Sequence, residues 1–290
     1  MPGGDVEGIS FEGIGTQWEI SSPLPLAPSL TERILARVEK FDADWSRFRS
    51  DSLVSAMART PGRYDFPDEA GQLGKLYRTL YRISAGTMTP LIGASLERLG
   101  YDAAYSLRPA GSPLPAPAWD DVLDWNGTSI TTSAPVVLDI GAAGKGLLVD
   151  LLAAELEAAG VDAFVIDGSG DLLARGPSAV PVALEHPYNP DQAIGVVRLA
   201  GRALCASAAN RRAWGDGLHH VLDGTTGRPV QTAVATWALA ETAVLADALA
   251  TALFFVPGAQ LQESFDFSWL TVYSDGSAGY SEEFEGTLFT

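Results

Sequence analysis

The chain has 290 residues, 47% of them hydrophobic, and its 36 acidic against 19 basic side chains give a net charge of −17. That length suffices for one large domain or two small ones with a sizeable core, and so acidic a surface repels nucleic-acid backbones and anionic membranes. One cysteine, Cys205, excludes an intrachain disulfide.

In chain order, the first ten residues show neither a basic start nor an apolar run, so no signal peptide is expected. No stretch approaches the ~20 apolar residues of a membrane span. The expected location is the cytoplasm, with no membrane insertion. Residues 13–20 read as an early strand. Apolar spacing predicts a helix over 29–41, with Leu30, Ile34, Leu35, Val38 and Phe41 on one face, and another over 70–83. A short helix follows over 90–99, stopped by Gly100. Residues 108–118, rich in Pro and Ala, read as a surface loop. Asn126-Gly127 between two β-prone runs predicts a hairpin. Residues 136–140 read as a buried strand, followed by a glycine-rich turn, a helix over 145–159 and a strand over 161–167. Short strands are expected over 180–185, 194–199, 219–222 and 234–239. A long apolar helix over 241–255 and a strand over 269–273 complete the set. Helices and strands mix without regular alternation, so the expected class is α+β, as one module over 1–290.

Five segments carry polar residues in patterns suited to chemistry. Asp139-Ile140-Gly141-Ala142-Ala143-Gly144-Lys145-Gly146 is a small-residue turn opening a helix. Free N–H groups there favour an anion, so the turn reads as a phosphate site or as a tight structural turn. It matches neither a dinucleotide fingerprint nor a P-loop. Asp247 and Thr251 stand at i and i+4 on one helix face. They read as hard oxygen ligands for Mg²⁺ or as a polar pair satisfying itself. His219-His220 leads into Asp223-Gly224-Thr225-Thr226-Gly227; a strand-end histidine suits a base or a ligand, and His219 reads as a turn residue. Asp167-Gly168-Ser169-Gly170-Asp171 is a turn between strands. Trp45 to Ser52 reads as a flavin-packing segment or a helix cap.

Together and in this order, these segments resemble the ApbE family of FAD:protein FMN transferases. Asp139 to Gly146, then Asp150, match its D-x-G-x-x-A/G-K/E-G turn and following aspartate. Ser169-Gly170-Asp171 matches a G-G-D-like turn and Ser207-Ala208 a Ser-Gly segment. His220 to Gly227 matches H-[IV]-x-D-P-x-T-G, and Ala246 to Thr251 matches A-D-A-x-x-T. Upstream, Ser46-Arg47-Phe48 with Ser52, and the Gly86 to Gly93 stretch, match two further motifs. The departures are Leu53 for Glu, Thr89 for Asp, Ser169 and Ala208 for Gly, and Gly224 for Pro.

The resemblance implies a T-fold-like α+β core with FAD in a cleft between two lobes. It implies Mg²⁺ on Asp247, Thr251 and the Gly144 carbonyl, bridging the FAD pyrophosphate. Gly141, Gly144 and Leu147, facing Thr89, Pro90 and Leu91, would line the FAD cleft, with Ile14 and Leu222 on the flavin side. Lys145 would contact a phosphate or stand in solvent. His220 would help deprotonate the acceptor hydroxyl or orient the pyrophosphate. The implied partners are FAD and an acceptor flavoprotein with a target threonine; no nucleic-acid partner is expected. The competing readings are an FAD pyrophosphatase, a flavin-binding protein without catalysis, and an unrelated enzyme of small phosphorylated substrates.

Overall fold

The computed structural model describes residues 7–289. It opens with a hairpin, β1 (Glu7–Gly13) and β2 (Thr16–Ser22). The single strand expected over 13–20 is therefore a turn and its second arm. Ile14 and Gly15 close the turn with φ of 44° and 76°, as a two-residue hairpin loop requires. A β-branched residue in that region is strained, and Ile14 lies at the mouth of the cleft described below.

Helix α1 (Pro28–Trp45) buries Leu30, Ile34, Val38 and Phe41, and runs four residues past its expected end. Next come α2 (Leu53–Arg59), β3 (Arg63–Asp65) and α3 (Ala70–Ile83). The segment after α3 forms a 3-10 turn, Pro90–Ile92, that passes directly into α4 (Gly93–Arg98). A loop leads to α5 (Trp119–Val122). In the hairpin of β4 (Leu123–Asn126) and β5 (Ser129–Thr132), Asn126 pairs with Ser129. The turn therefore sits one residue later than Asn126-Gly127 suggests, and Gly127 alone takes positive φ, at 60°.

Residues 136–140 form no strand. Val136 and Leu138 are buried, but the backbone pairs with the 3-10 turn, through Asp139 N–H to Pro90 O at 2.7 Å. Their apolarity reflects burial between elements rather than membership of a sheet. Helix α6 (Gly144–Ala158) then leads to the hairpin β6 (Phe164–Asp167) and β7 (Asp171–Arg175). A second hairpin, β8 (Val180–His186) and β9 (Asn189–Leu199), precedes β10 (Ala203–Ala208). The strand expected over 219–222 splits between two tiny hairpins. One is β11 (Ala213–Trp214) with β12 (Leu218–His219); the other is β13 (Leu222–Asp223) with β14 (Arg228–Pro229). The chain ends through β15 (Ala233–Ala240), α7 (Ala243–Ala252), α8 (Gly258–Gln262), β16 (Ser268–Tyr273), β17 (Ala278–Tyr280) and β18 (Gly286–Leu288).

Eight strands make one antiparallel sheet in the order β1-β2-β6-β7-β10-β15-β16-β17. Side chains alternate across it. Ile20, Ile166, Leu173, Cys205 and Ala238 join the large core beneath α1, α6 and α7. Ala174, Leu204, Trp237, Leu239 and Leu270 face the other way, where β8, β9 and β18 cover them. The architecture is α+β, with the helices gathered on one face of an antiparallel sheet. Among the described residues, no helix is long and apolar enough to cross a membrane.

Candidate active site

Helices α6 and α7 meet almost backbone to backbone. A Cβ on Gly146 would lie 2.2 Å from the carbonyl oxygen of Ala243, so only glycine fits there. The approach joins residues 101 positions apart: Asp247 Oδ2 accepts from Gly146 N–H at 2.9 Å. Asp150, one turn further along α6, accepts from the N–H groups of Ala243 and Val244, both at 2.8 Å. It thereby caps the first turn of α7, which has no capping side chain of its own. Asp247 and Thr251 are carried on the helix so fixed.

Beside them, Lys145 Nζ meets Asp171 Oδ2 at 2.5 Å and Gly168 O at 3.5 Å. Lys145 is thus not a solvated helix residue; it lines the cleft with its ammonium bound to a fully buried carboxylate. Burial works against that ammonium, but Asp171 and Asp247 hold its pKa above the ordinary lysine value. Two carboxylates share this one cation. Asp171 Oδ1 is buried without a partner. Asp247 is pushed up to about 7, first by burial and then by the charge of Asp171. The group is short of positive charge and offers only hard oxygen donors, which suits a small divalent cation such as Mg²⁺. Among the described residues, no three His, Cys, Asp or Glu gather as a metal group. Asp247 would therefore need Thr251 and a backbone carbonyl to complete a set.

Above this floor lies a cleft of about 610 Å³, lined among others by Ile14, Thr89, Gly141, Gly144, Lys145, His220, Leu222, Asp247 and Thr251. Its size is that of a cofactor-sized pocket. Pro90, Leu91 and Leu147 are buried beside it and are not among its lining residues. Burial pushes His220 down to about 3, with the charge of Arg212 adding to the effect, so the imidazole is neutral at physiological pH. Its Nδ1 is buried without a partner. His219 points elsewhere: it is buried, with Nε2 at 2.8 Å from Val230 O, in the turn role expected for it.

The opposite wall was only partly foreseen. Arg47 Nε donates to Asp139 Oδ2 at 2.6 Å, and its Nη1 donates to Tyr101 O at 2.9 Å. The guanidinium lies 4.1 Å from the Phe48 ring centre. Burial alone would raise the Asp139 carboxyl, but Arg47 and the Gly141 N–H hold it below its ordinary value. Asp139 and Arg47 thus brace the cleft rather than offering free charge. Tyr101, Tyr105 and Arg212, also in the wall, were not singled out from sequence; no local motif marks them.

Several departures from the family pattern have local explanations. Thr89 Oγ1 accepts from Leu91 N–H at 3.2 Å, so threonine caps the 3-10 turn as an aspartate would. Gly224 N–H donates to Thr87 O at 2.7 Å, a bond proline cannot make. A Cβ at 224 would also lie 2.6 Å from Thr89 Cγ2. The two substitutions therefore touch each other. Ser169 takes φ of 56°, and its hydroxyl donates to Gln17 O at 2.8 Å while accepting from Thr16 Oγ1 at 2.7 Å. Leu53 opens α2 and packs against the core.

A model of the ApbE family matches residues 14–267. A FAD:protein FMN transferase of Rhodobacter capsulatus is 31% identical over 240 residues, which is 75% of this chain and 45% of that relative. The chain thus spans under half of that relative's length. One from Escherichia coli (strain K12) is 24% identical over 300 residues, covering 93% of this chain and 84% of its own. Among solved structures, the ApbE protein of Thermotoga maritima superposes with a TM-score of 0.83 at 22% identity, over 97% of this chain and 98% of its own. The flavin transferase ApbE of Vibrio cholerae gives 0.77 at 18% identity, over 96% and 97%. At these identities the superpositions speak for the fold.

Proposed function

The chain belongs to the ApbE family, and from that footing we propose that it is an Mg²⁺-dependent FAD:protein FMN transferase acting in the cleft over α6 and α7. The hydroxyl oxygen of an acceptor threonine forms a bond to the phosphorus on the riboflavin side of FAD. The bond from that phosphorus to the bridging oxygen breaks, and AMP leaves with that oxygen. The hydroxyl proton passes to a base.

The observation that carries this reading is the convergence of Gly144, His220, Asp247 and Thr251 on one cleft, from three distant stretches of chain. Magnesium held by Asp247, Thr251 and the Gly144 carbonyl would offset the charge of the pyrophosphate and of the leaving phosphate. The remaining work falls to the protein. Asp150 and Gly146 fix α7 so that Asp247 and Thr251 face the same space. His220, neutral and with one ring nitrogen unpartnered, is placed to orient a phosphate oxygen, or to receive the hydroxyl proton once bound phosphate offsets the Arg212 charge that, after burial, holds it at about 3. Ile14, Thr89, Gly141 and Leu222 line the same cleft and serve as the flavin-side and backbone contacts. Pro90 and Leu91 form the 3-10 turn that follows Thr89, and Leu147 lies buried on α6.

The test is AMP release from FAD by wild type and Asp247→Asn, with Mg²⁺ or EDTA and with or without a threonine-bearing acceptor domain. Asparagine keeps an acceptor for Gly146 N–H, so folding is retained. The expected outcome is acceptor-dependent, EDTA-sensitive AMP release that falls at least about a hundred-fold in the variant, the scale of losing a charged transition-state contact. AMP and FMN without acceptor would instead identify a pyrophosphatase. Binding without any AMP would leave a flavin-binding protein.

A further inference from the structure

Five cationic residues line the cleft: Arg47, Arg49, Lys145, Arg211 and Arg212. Four are neutralised by the protein itself. Arg47 is paired with Asp139, Lys145 with Asp171, and Arg211 with Glu185 at 2.6 Å. Arg49 is surrounded by Glu39, Asp42 and Asp51. Arg212, among the described residues, forms no ion pair and no side-chain hydrogen bond, although the chain carries a net charge of −17. A half-buried guanidinium left unpaired inside a cleft, in so acidic a protein, suits an anion that the protein does not supply.

The backbone fixes where that charge stands. Across β11 and β12, Trp214 pairs with Leu218 and Ala213 with His219. The ladder ends there, with Arg212 just before β11 and His220 just after β12, so the two stand at the same end of the hairpin, and both line the cleft. The hairpin is held in place by Trp214, whose Nε1 donates to Leu99 O at 2.9 Å and whose ring stacks on Tyr101 at 5.6 Å. Arg212 and His220 therefore flank the same end of a short, anchored hairpin, close enough for the charge of one to act on the other.

We propose that Arg212 is a substrate-contacting residue that grips phosphate oxygens of the flavin dinucleotide beside His220. The inference rests on the transfer reading above and gives the phosphate group a second hold, distinct from the Asp247–Thr251 floor. A guanidinium offers two parallel N–H donors to a phosphate. Fixed there, it opposes the negative charge that builds on the leaving phosphate as the phosphorus–oxygen bond breaks. The same charge makes protonation of His220 costlier in the resting cleft. Burial is the larger cause and stays, but bound phosphate offsets the Arg212 part, so the imidazole becomes a better proton acceptor with substrate in place.

The test compares FAD with riboflavin, which has the ring system but no phosphate. Wild type, Arg212→Gln and Arg212→Lys are titrated with each ligand in Mg²⁺ by flavin fluorescence. Wild type is expected to prefer FAD. Arg212→Gln is expected to weaken FAD about ten- to a hundred-fold, the range for a lost charge-assisted hydrogen bond, and to leave riboflavin unchanged. Arg212→Lys should recover part of the loss. The three histidines allow a parallel NMR titration, in which Arg212→Gln should raise the His220 pKa. Equal weakening of both ligands would assign Arg212 a role in the scaffold and overturn the proposal. Unchanged FAD affinity in Arg212→Gln, with the wild-type preference intact, would overturn it while leaving the transfer reading standing. A wild type with no preference for FAD would remove both.

Discussion

The two ends of the cleft are built on different physics. At the floor, α6 and α7 touch backbone to backbone, and the donors are taken up inside the protein: Lys145 by Asp171, the first turn of α7 by Asp150, the Gly146 N–H by Asp247. At the rim, two hairpins of two-residue strands carry His220 and Arg212, whose polar groups are left largely unpaired. The floor is rigid because it is closely packed and its helices are cross-bonded by Asp150 and Asp247. The rim is held by a few anchors, Trp214 above all, and keeps its bonding capacity for something outside the chain. A preorganised support beneath adaptable contacts is what a site needs to hold a charged substrate in one geometry.

The contrast predicts a hierarchy of mutational costs. The largest belongs to Lys145→Met, which leaves the Asp171 carboxylate buried and uncompensated. A loss of roughly 3–5 kcal/mol in unfolding free energy is expected, the scale of a broken buried pair. Denaturant titration measures it, and adding Asp171→Leu should recover most of the loss. A double variant no better than the single one would mean that the floor is held by packing alone.

A smaller effect comes from pH. Asp150 is pushed up to about 6 by burial, against the pull of the Val244 and Ala243 N–H groups. Its folded pKa lies above the unfolded value of 3.8, so between these two values the folded state binds more protons. Its contribution to stability is therefore fullest below about 4, declines as pH rises towards 6, and is flat above. Asp150→Asn should remove that slope while costing about 1 kcal/mol for a weakened helix cap. An unchanged slope would show that Asp150 is not its source.

The smallest effect should be at the rim's outer edge. Arg211 pairs with Glu185, but its side chain is 64% exposed. Arg211→Ala should change stability by at most about 0.5 kcal/mol by thermal melting. A larger loss would mean that the rim is braced by its surface ion pairs, and would blur its contrast with the floor.

Much of this was legible in the amino-acid sequence, for physical reasons that stop at short range. Apolar residues at helical spacing marked α1 and α3, because burial of one face needs only a neighbouring surface. Glycine marked the β4–β5 turn, and Asp247 with Thr251 fell on one face because helix geometry dictates it. Burial without pairing was not legible: residues 136–140 are as apolar as a strand, yet bond to a 3-10 turn. Nor was the hairpin turn at Ile14 and Gly15, since isoleucine carries no turn signal and is held there by the surrounding sheet.

The sequence by itself therefore determined the α+β class, the main helices, and the residue types that a phosphate-and-metal chemistry calls for. Only the tertiary structure decided which of those residues are free to act. Lys145 is consumed by Asp171, 26 positions away, and Asp139 by Arg47, 92 positions away. Arg212, unremarkable in sequence, is the cation in the cleft that forms no direct pair with a carboxylate among the described residues. Whether a charge is spent or available depends on what the fold brings within a few ångströms, and spacing along the chain does not carry that information.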